Sequence, residues 1–102
     1  MSESVKLLMT WNIKTGQEQD YFTFVMQELP VSLQKVGLKL TDAWYTVYGD
    51  WPQVRMAFMG ESLPALKAFL SSPQWLEIKQ QLLVYTKDYQ HKIVVARGGL
   101  QL

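Results

Sequence analysis

The chain has 102 residues, ten basic and nine acidic, for a formal net charge of +1; the charges are scattered with no basic stripe, which argues against a nucleic-acid partner. It has no Cys and a single His, His91, so disulfides and thiolate chemistry are excluded, and neither a metal site nor a cofactor is expected. No apolar run reaches the roughly 18 residues of a membrane span, and the first four residues lack the basic and apolar regions of a signal peptide, so a cytoplasmic protein without membrane association is expected.

Residues 5–13 predict a strand. Val5, Leu7, Met9, Trp11 and Ile13 fall on one face, and Lys6, Leu8, Thr10 and Asn12 on the other, so one face is wholly apolar and the second is mixed. Residues 17–35 predict a helix, with Glu18 and Asp20 at its positive end and Tyr21, Phe22, Val25, Met26, Leu29 and Leu33 as an apolar stripe. Pro30 lies inside that stripe. It predicts either a kink near residues 26–30 or a new helix beginning at Pro30. Gly37 is placed to stop the helix.

Residues 43–48 predict a second strand, 49–53 a hairpin turn and 54–59 a third strand, with Val54, Met56 and Phe58 on one face. Ser62 predicts an N-cap, and the helix over residues 63–86 is interrupted at Ser71-Ser72-Pro73. There Ser72 followed by proline starts a second segment, which buries Trp75, Ile78 and Leu82. Residues 90–96 alternate weakly and predict a final strand covered on both sides.

The order βαββαβ predicts a ferredoxin-like α+β fold: a four-stranded antiparallel sheet with helices on one face, in a single domain over residues 1–102. Two helical segments cover one sheet face only. The apolar content, 48% of the chain with 13% aromatic, exceeds what so small a core absorbs. A homodimer is therefore expected, with the apolar face of Leu7, Met9, Trp11, Met56 and Phe58, and Trp51 at the hairpin tip, meeting a second copy. The alternative is that a helix covers this face and the mixed face is solvated.

The layout, together with the segment Ala68-Phe69-Leu70-Ser71-Ser72-Pro73-Gln74-Trp75-Leu76-Glu77, resembles the dimeric α+β barrel superfamily. The segment is similar to the helix, Ser-Pro, aromatic, helix element of antibiotic-biosynthesis-monooxygenase-like and stress-responsive domains. The resemblance implies two sheets closing into a barrel, with a cleft between sheet and helices in each subunit. Superfamily members include cofactor-free monooxygenases, heme-degrading enzymes, isomerases and proteins of no known activity. The oxygen-activating monooxygenases carry an Asn at the end of the first strand, which Asn12 resembles. Their Trp at the end of the third strand is Met59 here, and the His of heme-degrading members is Lys79 or a neighbour, so heme degradation is rejected.

The expected cleft draws on Leu8, Thr10, Asn12, Met59, Phe69 and Trp75, with His91 beside them, and takes a small apolar or aromatic molecule. Asn12 would hold a polar end of the ligand, or else cap its own turn. Tyr85, Asp88, Tyr89 and His91 form the one titratable cluster, readable as a base and its partners or as a solvated junction. No catalytic residue is assigned. Three functions remain open: a small-molecule-binding protein, a cofactor-independent monooxygenase or isomerase, and a structural domain with a filled cleft.

Overall fold

The computed structural model describes residues 3–46 and 52–97. Strand β1 (Glu3–Ile13) is followed by α1 (Glu18–Thr23), a π-helical turn (Phe24–Glu28) and α2 (Leu29–Gln34). Then come β2 (Lys39–Tyr45), β3 (Val54–Gly60), α3 (Leu63–Leu70), α4 (Pro73–Tyr85) and β4 (Thr86–Arg97). The strands form one sheet in the order β2-β3-β1-β4, every pair antiparallel. This is the ferredoxin-like α+β fold. Residues 47–51, which include Trp51 and most of the predicted 49–53 turn, lie outside the described residues.

Local chemistry accounts for the helix boundaries. Ser62 Oγ accepts from Ala65 N, and Ser72 Oγ from Trp75 N, both at 3.2 Å, so α3 and α4 each start with a serine cap and a proline in the first turn. Gly37, at φ +89°, lets Leu38 N reach back to Leu33 O at 2.9 Å and closes α2. At Pro30 the predicted helix is divided, and a new segment begins at Leu29. The Leu29 N–H bonds to the carbonyl of Phe24, five residues back, and α-helix resumes with Pro30 in its first turn, where no donor is needed. The wide turn has a packing consequence. Tyr21, Val25, Leu29 and Leu33 recur at steps of four, which outrun a 3.6-residue turn, yet all four are buried.

Strand register sorts the sheet's two faces. One face carries the rows Leu40–Phe58–Leu7–Ile93, Ala43–Met56–Met9–His91 and Tyr45–Val54–Trp11. The other carries Lys39–Met59–Lys6–Val94, Asp42–Ala57–Leu8–Lys92 and Trp44–Arg55–Thr10–Gln90. The first face packs under the helices: Leu7, Met9, Trp11, Met56 and Phe58 share one core with Tyr21, Phe24, Val25, Leu29, Leu33, Leu66, Phe69, Trp75 and Leu82. This corrects the expected interface. Those five sheet residues are buried within a single copy and cannot meet a second one. The helices present wide apolar stripes, and the largest gain from removing apolar surface from water comes from laying them on the fully apolar face. The mixed face is the one left without helices. Strand β4, expected to be covered on both sides, is not: Gln90 and Lys92 are exposed on the face without helices and Val95 is exposed as well.

Candidate functional site

The expected cleft between sheet and helices is occupied by aromatic side chains. Trp11 Nε1 donates to the Tyr21 hydroxyl at 2.9 Å, and its ring stacks on Tyr89 with centroids 6.3 Å apart. Trp75 packs between Phe69 and Tyr89 at 5.6 and 6.2 Å. Burial pushes the Tyr21 hydroxyl up to about 12, opposed by the Trp11 hydrogen bond, and burial also raises that of Tyr89.

The predicted ligand set is accordingly divided by the sheet. Phe69 and Trp75 belong to the core on the helix side, whereas Leu8, Thr10 and Met59 lie on the uncovered face, so no single cleft unites them. Asn12 proves to be a tie between segments. Its Nδ2 donates to Asp88 Oδ2 at 3.0 Å and its Oδ1 accepts from Gln53 N at 2.9 Å, while Gln53 Oε1 accepts from Ile13 N at 2.7 Å. These bonds pin the end of the hairpin and the start of β4 to β1, beside the irregularity in pairing between Thr10 and Asn12. They also hold Asp88 at φ 57°, a left-handed conformation that few non-glycine residues adopt.

The titratable cluster disperses as well. Tyr85 packs on Phe24 at 5.7 Å and Asp88 turns to Asn12, leaving Tyr89 and His91 together, Oη to Nδ1, at 3.0 Å. Tyr89 keeps its proton at neutral pH, and the imidazole tautomer sets which of the two groups donates. Lys79 Nζ lies 5.2 Å from the centre of the Tyr89 ring. Desolvation, and secondly the Lys79 charge, hold His91 below the ordinary imidazole value. Among the described residues, no three His, Asp or Glu side chains are grouped so as to hold a metal ion.

The concave surface suited to a ligand is on the uncovered face. Leu8, Thr10, Pro52, Arg55, Gln90, His91 and Lys92 line a groove of about 400 Å³. A neighbouring hollow of about 290 Å³ shares Pro52 and Arg55 and extends to Trp44 and Thr46. Leu8, Thr10 and His91 were legible as candidates. Arg55, Gln90, Lys92 and Pro52 were not, since only strand register sets Arg55 between Trp44 and Thr10.

Solved structures share this ferredoxin-like α+β fold. A NIPSNAP family protein from Agrobacterium tumefaciens superposes with a TM-score of 0.68 at 18% identity over 99% of each chain. A hypothetical protein from Arabidopsis thaliana gives 0.73 at 14% identity, over 100% of this chain and 97% of its own. A protein from Bacteroides fragilis, described as dimeric, of unknown function and ferredoxin-like in fold, gives 0.60 at 10% identity, over 89% and 94%. No protein-family model matches the chain, and no curated protein sequence does. Among the described residues, no helix is long and apolar enough to cross a membrane.

Proposed function

We propose that the protein is a homodimer joined through the uncovered face of the sheet, and that it binds a small molecule in the groove which the second copy closes over. The observation that carries this reading is the composition of a face with no helix on it. Trp44 is 51% exposed and Met59 40%, and Leu8, Ala57 and Val94 lie in the same three rows. Two such faces packed about 10 Å apart would make a sheet-on-sheet layer of the usual kind. The Bacteroides relative, described as dimeric, supports the same arrangement. The groove's volume falls in the usual range of roughly 300–1,000 Å³ for small-molecule sites, and Leu8 and Pro52 supply its apolar wall.

The filled space between sheet and helices favours a second reading, a structural domain whose role is assembly alone. A monooxygenase or isomerase reading rests on Asn12, whose amide is engaged at both ends by the protein itself. A thermal-shift screen of small aromatic molecules separates the first two. Binding in the groove predicts compounds that stabilise the wild type and lose their effect in Thr10→Trp, which fills the groove. Stabilisation by no compound would leave the assembly reading standing.

A further inference from the structure

The uncovered face is unbalanced in charge. Its three rows carry Lys39, Lys6, Arg55 and Lys92 but, among the described residues, one carboxylate, Asp42. Asp42 is 3.9 Å from Lys6, and among the described residues neither Arg55 nor Lys92 has an acidic partner. Both line the groove, together with Thr10 and Gln90. Arg55 stands on the interior strand β3, flanked by Trp44 on β2 and Thr10 on β1, so a copy packed over this face removes its guanidinium from water. A desolvated cation needs a counter-charge. Two-fold symmetry brings up the same cationic face, which adds repulsion and no surplus of carboxylates. Among the described residues of this face no carboxylate is left over, and a ligand is the source of negative charge that fits the groove.

We propose that the groove takes a small molecule bearing an anionic group. Arg55 holds the anion through two parallel N–H donors and Lys92 adds a point charge. The apolar body of the ligand lies along Leu8 and Pro52. The volume and the apolar wall favour an aromatic carboxylate over a bare inorganic anion. This rests on the proposed homodimer and narrows its ligand to one chemical class.

The test compares naphthoate, its neutral counterpart naphthamide, and inorganic phosphate at constant ionic strength. Calorimetry reads affinity, and sedimentation of the same samples reads assembly. The acid should bind about tenfold or more tightly than the amide, the factor set by roughly 1.4 kcal/mol of charge-assisted bonding. Arg55→Gln should remove that preference while the protein still sediments as a dimer; Arg55 is exposed in the single copy, so the change leaves the core intact. Phosphate displacing naphthoate from the wild type but not from Arg55→Gln would confirm that the anion is what is recognised. A dimer that binds acid and amide alike, binds neither, or keeps its preference in Arg55→Gln overturns the anionic ligand and leaves the dimer standing. A wild type that sediments as a monomer at all concentrations overturns both.

Discussion

The pair formed by Trp11 and Tyr21 offers the sharpest test of how the core is built. Trp11 is 0% exposed and Tyr21 1%, and the 2.9 Å bond from the indole N–H to the phenol oxygen has no water to replace it. Tyr21→Phe leaves the indole donor buried and unpaired, at a cost of about 1–3 kcal/mol. Trp11→Phe leaves the hydroxyl unpaired and also opens a void, since a phenyl ring fills less space than an indole, so about 2–4 kcal/mol is expected. In the double variant both polar groups are gone. Its cost should fall short of the sum of the singles by about 1–2 kcal/mol. Urea unfolding at one fixed protein concentration measures all four proteins on a common footing, which matters for a chain that assembles. The shift in midpoint should be the same at low and high concentration, because these residues lie within one copy. Costs that add to within about 0.5 kcal/mol would refute the coupling, and an effect that vanished on dilution would return Trp11 to an interface.

Two further outcomes are expected. Tyr21 ionises at about 12 in the fold against an ordinary 10.0, so the unfolded chain loses this proton first: stability is whole below pH 10, declines between about 10 and 12, and Tyr21→Phe should flatten that decline in alkaline urea titrations. Asn12→Ala removes two hydrogen bonds between segments and should cost about 1–2 kcal/mol, with faster amide exchange at Gln53 and around Asp88; unchanged exchange there would contradict its role as a tie.

Much of the fold is written locally. The alternation from Val5 to Ile13, the serine-proline starts at Ser62 and Ser72, and Gly37 each act within a few residues, and each is found where the sequence places it. Strand β2 begins at Lys39, earlier than the aromatic run suggests, because backbone pairing with β3 recruits Leu40, Thr41 and Asp42 despite their mixed character. The alternation of β1 fixes which side chains share a face. It does not say which face the helices take, because that depends on comparing the helix stripes with both sheet faces at once. The groove was hidden for a related reason. Arg55 meets Trp44 and Thr10 through registers that shift at Leu40/Asp42 and Thr10/Asn12, and the partners of Asn12 lie 41 and 76 residues away.

The central claim, that two copies meet through the uncovered sheet face, is tested most directly by cross-linking. The chain contains no Cys, so single cysteines can be introduced against a clean background. Leu8→Cys, Thr10→Cys and Met59→Cys each place a thiol on the uncovered face, and Met26→Cys places one on the exposed side of the helical layer. Sheets packed face to face stand about 10 Å apart, beyond the roughly 7 Å between Cα atoms that a direct disulfide allows, so a short bis-maleimide is used to bridge the thiols. With that reagent, at least one of the three sheet variants should convert rapidly to a covalent dimer while Met26→Cys stays monomeric on a denaturing gel. Equal cross-linking from the helical side, or none from the sheet while the wild type sediments as a monomer, would contradict the claim.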